Sequence, residues 1–161
     1  MDQLHRCVIS SPAGPLRIAV DDDSVLCELY FGSETDTVNG APVPEQCRPV
    51  VDQLGEYFAG KRTEFDLRVR PVGTEFRKKV WQALTEIPYG ETWTYGKLAK
   101  HVGSPQAARA AGAACGANPI SIVIPCHRVV GSNGSLTGFG GGIETKRRLL
   151  ALESDQVAMT L

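Results

Sequence analysis

The sequence predicts an α+β fold in two parts. A small N-terminal sheet-plus-helix domain covers residues 1–70, and a mainly helical domain with a helix-turn-helix, winged-helix-like in outline, covers 71–161. Three observations predict it. Residues 4–68 carry short apolar runs, some strictly alternating, separated by turn formers. From Thr74 onward the apolar residues recur at helical spacing. Between the two, Arg70-Pro71-Val72-Gly73 has the composition of a linker.

Composition sets bounds. At 161 residues, 42% hydrophobic and 22% charged, the chain is sized for one ordinary domain, or a small one plus a medium one. No apolar run reaches the roughly 20 residues of a membrane-spanning helix. Met1-Asp2-Gln3-Leu4-His5-Arg6 lacks the basic and apolar regions of a signal peptide, so a cytoplasmic protein is expected. The cysteines at 7, 27, 47, 115 and 126 form no C-x-x-C pair and are odd in number, which argues against a disulfide framework or a simple zinc knuckle. A net charge of −1 exerts no global pull on nucleic acid, so DNA contact requires a local basic face.

In order, Val8-Ile9 precedes a Ser/Pro/Gly turn, and Leu16–Val20 alternates as a half-buried strand. Asp21-Asp22-Asp23-Ser24 is a solvated turn, lacking the Gly and distal Glu of a calcium loop. Val25–Phe31 completes a hairpin. Residues 32–49 are a loop. Val50, Val51, Leu54, Tyr57 and Phe58 mark a helix that Gly60 stops, and Phe65–Val69 reads as a short strand. This half offers no catalytic constellation, so a structural role is expected of it.

Thr74 caps a helix whose apolar stripe is Phe76, Val80, Trp81, Leu84 and Ile87; Arg77, Lys78 and Lys79 lie on or beside its polar face. Thr94 caps a short helix from Tyr95 to Val102. Ser104-Pro105 then reads as an N-cap with Pro at the first helical position of a second. The pair makes a helix-turn-helix. Its second helix, Gln106 to Cys115, is nearly bare, whereas a helix that reads bases in the major groove needs side chains that reach their edges. One long cation, Arg109, stands among the small residues. An Ala-rich helix packed inside the protein is the plain alternative. The functional reading is close minor-groove docking without sequence preference, Arg109 directed at the base stack.

Asn118-Pro119 favours a turn or extended backbone, and Asn118 reads as a hinge. Ile122-Val123-Ile124 reads as a short buried strand that Pro125 ends, presenting Cys126 and His127 on a rigid mount. A buried structural cysteine is the alternative there. A free thiol of pKa about 8.5 is only a few per cent thiolate at neutral pH, so an adjacent base matters. His127 is the natural base, and Glu153, at the end of a last helix from Ile143, is the carboxylate to fix its tautomer. Neighbouring side chains rarely bond directly, so a relay water between Cys126 and His127 fits. Residues 131–142 are too short of Gly-Lys-Ser/Thr for a phosphate loop and read as a flexible wall carrying Phe139.

Pro125-Cys126-His127-Arg128, Asn118-Pro119, Tyr89-Gly90-Glu91, Thr94-Tyr95-Gly96, Ala108-Arg109-Ala110 and Leu149-Leu150-x-Leu152-Glu153 together resemble the methylated-DNA–protein-cysteine methyltransferases, the O6-alkylguanine-DNA alkyltransferases. The resemblance covers Thr74 to Glu153 closely and the N-terminal half in outline. It implies DNA repair by one irreversible transfer of an alkyl group from O6-alkylguanine, with O4-alkylthymine a further candidate, to the protein's own cysteine. By that resemblance Cys126 is the acceptor, activated by His127 and Glu153 through a bridging water; Asn118 is the hinge, and Tyr95 assists rotation of the nucleotide and donates a proton to guanine. Arg109 fills the gap in the stack, and Phe139 lies against the flipped base. Val129, Gly140 and Lys146 join Phe139 as substrate-binding candidates. Ala108, Ala110, Gly112 and Ala113 join Arg109 on the DNA face, with Gln106, Lys97 and Lys100 at phosphates. The partner is duplex DNA bearing the lesion, and the protein is expected to act as a monomer that can cluster on DNA.

Two departures stand out. The position of Phe139 is more usually Tyr, and the ligand set for the zinc of some relatives is absent, so neither metal nor other cofactor is expected. A Cys-His hydrolase and a non-catalytic sensor of alkylated DNA are the rival readings. The first leaves the bare helix unexplained; relatives of the second kind lack the acceptor cysteine.

Overall fold

The computed structural model describes residues 3–33, 36, 42–136, 139 and 141–160, the side chains of 156–160 excepted. It begins with three antiparallel strands in sequential order, β1 (His5–Ile9), β2 (Leu16–Val20) and β3 (Leu26–Phe31). Leu16, Ile18, Leu26 and Leu29 face inward, fully or almost fully buried. Helix α1 (Arg48–Phe58) covers them with Val50, Leu54 and Tyr57. It ends where the sequence places its stop, at Gly60 with φ of +74°.

The outer edge of β3 ties the two halves of the chain together. Leu26 exchanges backbone bonds with the 68–70 segment, and Leu29 with Pro119 and Ser121. An open strand edge is thus closed twice, the second time by the turn that leads to Cys126. The expected strand Phe65–Val69 is reduced to a single bridge, Leu26 to Val69.

Helix α2 (Glu75–Leu84) starts at Thr74, whose hydroxyl accepts from the Arg77 N–H. A two-residue strand, β4 (Trp93–Thr94), comes next, and Thr94 caps α3 (Tyr95–His101) in the same way. Helix α4 (Ala108–Gly116) starts later than Ser104-Pro105 suggests. Ser104 spends its carbonyl on a tight turn, accepting from the Ala107 N–H, so that segment bends before any helix begins. Helix α4 packs against α2 and α3 and is tied to α2 by Trp81, whose indole N–H donates to the Ala114 carbonyl at 2.8 Å.

The 120–124 segment is a turn, not the strand its β-branched residues suggest. Ile122 has φ of +70°, a conformation that costs a β-branched side chain on the order of 1–3 kcal/mol and persists only when its surroundings over-determine it. Here they do: both neighbouring backbone edges are already engaged with β3 and with Asn118. A 3₁₀ turn at Cys126–Arg128 leads into β5 (Val129–Val130), which pairs in parallel with β4. Helix α5 (Ile143–Thr160) closes the fold and extends well past Glu153. One apolar core runs through both halves, from Leu16 and Tyr57 to Leu98 and Leu149. No helix among the described residues is long and apolar enough to cross a membrane.

Candidate active site

Cys126 lies at the start of the 3₁₀ turn, 6% exposed, at the floor of a cleft of about 110 Å³. Tyr30 and Phe31 of β3, Cys115 of α4, Asn118, Ser121 and Phe139 line it. The mount is rigid for a local reason. The Asn118 amide donates to the Ile124 carbonyl at 2.8 Å while its oxygen accepts from the Ile120 N–H at 2.9 Å, so one side chain clamps both ends of the strained turn.

Behind the thiol is a buried polar cluster. His127 Nε2 lies 2.7 Å from Glu153 Oε2. Arg128 donates through Nε to Oε1 at 2.8 Å and through Nη2 to Oε2 at 3.1 Å; its Nη1 donates to the Ile87 carbonyl. The Tyr57 hydroxyl, 96 positions away in the chain, donates to Oε2 at 2.6 Å. Burial alone would raise the carboxyl's pKa, but His127 and Arg128 outweigh it and hold Glu153 at about 2.

The ionised carboxylate can only accept, so the His127 proton is on Nε2. His127 Nδ1 is buried and has no hydrogen-bond partner among the described residues, leaving a lone pair to receive a proton. Burial lowers the imidazole's pKa more than Glu153 raises it, so the ring is neutral near pH 7. Burial pushes the Cys126 thiol up, against the opposing pull of Asn118 and Lys146, so the resting sulfur is protonated and calls for a base.

Lys146 of α5 is 1% exposed, its ammonium 5.9 Å from the Tyr95 and Phe139 ring centres. Burial lowers its pKa. Tyr95 is half-buried at the start of α3, next to Gly112, where a Cβ would come within 3.6 Å of its ring. Phe139 packs against Phe31 in a tilted ring contact, ring centres 5.4 Å apart. Val129 differs from Phe139: it is fully buried in the core, backbone and side chain alike, and does not line the cleft. Gly140 lies outside the described residues.

Helix α4 has two faces. Ala111, Ala114 and Cys115 are buried, whereas Arg109, Ala110 and Ala113 are exposed and Ala108 and Gly112 half-buried. The packed-inside alternative therefore holds for one face only. Gln106, Lys97 and Lys100 are exposed nearby, Lys97 over the Trp93 ring at 4.9 Å. Among the described residues no group of three or more His, Cys, Asp or Glu is placed to hold a metal.

Four contributors escaped the sequence reading. Arg128 was legible only as a motif residue, and Tyr57, Tyr30 and Phe31 belong to the half expected to be purely structural. Tyr57 in particular shows the apolar helix spacing of a core residue and no polar signal.

The arrangement is that of a cysteine-centred site: a thiol beneath a surface cleft, next in the chain to a buried imidazole–carboxylate pair. Comparison with known proteins agrees. Residues 4–71 match the ribonuclease-like domain, and residues 75–155 the DNA-binding domain, of 6-O-methylguanine DNA methyltransferase. The chain is 48% identical to the methylated-DNA–protein-cysteine methyltransferase of Mycobacterium tuberculosis over 98% of this chain and 97% of that one. With that of Methanosarcina acetivorans it shares 44%, over 93% and 98%. The crystal structure of Mycobacterium tuberculosis OGT in complex with DNA matches it with a TM-score of 0.86, at 50% identity and 94% of each chain. The chain belongs to the methylated-DNA–protein-cysteine methyltransferase family, DNA-binding enzymes of DNA repair.

Proposed function

We propose that this chain repairs duplex DNA in the cytoplasm by moving an alkyl group from O6-alkylguanine irreversibly to Cys126. The observation that carries the reading is a cleft-floor thiol followed in the chain by a neutral His127 whose Nε2 faces Glu153 and whose Nδ1 has no partner among the described residues. His127 Nδ1 takes the thiol proton through one bridging water, and Glu153 stabilises the imidazolium. The Cys126 thiolate attacks the saturated carbon. A sulfur–carbon bond forms, the carbon–oxygen bond breaks, and its electron pair leaves with guanine. Tyr95 gives a proton to the ring at N3 and Lys146 offsets the charge left behind. Among the described residues no group is placed to cleave the product thioether, so each molecule acts once.

The target carbon is inside the duplex, so the base must be turned out, at a cost of a few kcal/mol that is smaller for a badly paired lesion. The small exposed residues of α4 permit close approach to the minor groove, and Arg109 occupies the space the base leaves. Phe139 and Phe31 offer apolar ring surface to the extruded base, and Asn118 holds α4 and the Cys126 turn in register. Gln106, Lys97 and Lys100 meet phosphates. The protein binds DNA as a monomer.

Intact-protein mass spectrometry after incubation with O6-methylguanine duplex is the test. Wild type should gain one methyl, stoichiometrically, and Cys126→Ser none. Turnover, or unchanged mass with competent substrate, refutes the reading.

A further inference from the structure

We propose that Tyr57 is a positioning residue of the alkyl transfer, so that the N-terminal half takes part in the chemistry rather than only supporting it; the inference rests on the reading that Cys126 is the acceptor. Oxygen Oε2 of Glu153 serves three donors, Tyr57 at 2.6 Å, His127 at 2.7 Å and Arg128 at 3.1 Å, while Oε1 takes a single bond from Arg128. Arg128 grips both oxygens and can hold the carboxylate's plane, but it leaves open how strongly Oε2 is drawn to the ring. The tyrosine hydroxyl decides that. By donating to the very oxygen that holds His127, it fixes the oxygen's position and draws charge from it.

The hydroxyl has two effects on the imidazole. The Nε2–H tautomer that the carboxylate selects is held in place, with the Nδ1 lone pair left bare. The imidazolium formed during reaction is also held less tightly than by a bare carboxylate, so His127 stays neutral further into acid. Tyr57 is itself fully buried and wedged among Phe58, Phe65 and Tyr89, with ring centres 5.2, 5.4 and 6.4 Å away, which leaves the hydroxyl little freedom. Charged and titratable groups facing the cluster from other elements are Arg128, Lys146, Cys126 and Tyr89.

The test measures alkylation rates with free O6-benzylguanine across roughly pH 5 to 9, where the acid limb reports the essential base. Tyr57→Phe keeps the ring and removes the hydroxyl. It should reach the same one alkyl group per chain, about 10-fold more slowly near neutrality, with the acid limb displaced to higher pH. A wild-type rate, or a slower rate with the limb unmoved, overturns the proposal. Phe65→Leu loosens the same ring cluster without touching the hydroxyl and should leave the limb in place; an equal displacement also overturns it. If Tyr57→Phe does not fold, a fluorinated tyrosine placed at position 57 decides, because its more acidic hydroxyl draws more charge from Oε2 of Glu153. An acid limb displaced to lower pH supports the proposal, and an unmoved limb refutes it. Wild type that takes up no alkyl group refutes the transferase reading itself, whereas normal alkylation with an indifferent Tyr57→Phe refutes only this inference.

Discussion

The His127–Arg128–Glu153–Tyr57 cluster and the exposed face of α4 are built on opposite plans. In the first, every group is buried and Glu153 alone receives four hydrogen bonds. In the second, the side chains are methyl groups or hydrogen atoms facing solvent, with Arg109 the one long exception. Under the proposed function, the difference reflects what each must do. A proton relay fails if its members stray by a fraction of an ångström, so it is over-determined. A surface that approaches many DNA sequences needs nearness more than direction, so it is stripped.

Removing Glu153 breaks the first plan outright. Glu153→Ala leaves Arg128 buried without a counter-charge, and unfolding in urea should show a loss of about 3–5 kcal/mol, with alkyl transfer abolished. A stable, active variant would mean that the cluster is decorative.

Acid attacks the same cluster more gradually. Glu153 is depressed in the fold, so its stabilisation is present above the ordinary value of 4.5 and is lost as pH falls through about 2. His127 is also depressed: below its ordinary 6.5 the unfolded chain takes up a proton that the buried ring refuses. Both act in one direction, and the unfolding free energy from urea titrations should fall from about pH 6.5 downward by on the order of a few kcal/mol in total. In Glu153→Gln the part below 4.5 should shrink, what remains coming from Asp21, whose carboxyl the Val25 N–H also holds below its ordinary value.

Asn118→Ala tests the clamp between the two regions. It loses two hydrogen bonds around a strained turn. Expected are about 2 kcal/mol of stability and slower alkylation by free base and duplex alike.

The stripped face predicts the reverse pattern. Arg109→Ala should leave stability unchanged, slow repair in duplex DNA about 10-fold, and barely affect reaction with free O6-benzylguanine. Equal losses would remove its role in turning the base out. The smallest effect is expected for Lys97→Ala and Lys100→Ala, each lowering the salt slope of DNA binding by about 1.

Much of this was legible because it depends on near neighbours. Thr74 and Thr94 cap their helices as their positions require, and Gly60 stops α1, since capping and left-handed backbone involve only a few residues. The same local logic misread two places. Ser104-Pro105 has a helix start's composition, yet Ser104 closes a turn with Ala107. Ile122-Val123-Ile124 has a strand's composition, yet the edge of β3 was already taken by Pro119 and Ser121. Tyr57 could not be found at all, because its partner is 96 residues distant and its spacing is that of any core aromatic.

By itself, then, the sequence determined the kinds of element, the adjacency of Cys126 and His127, and the poverty of side chains on one helix, all of which rest on residue chemistry and short-range periodicity. Only the tertiary structure decided how the pair is supplied with its carboxylate, which oxygen faces the ring, and that an N-terminal hydroxyl holds it. Those depend on where distant segments meet, and packing of one continuous core settles that, not local preference.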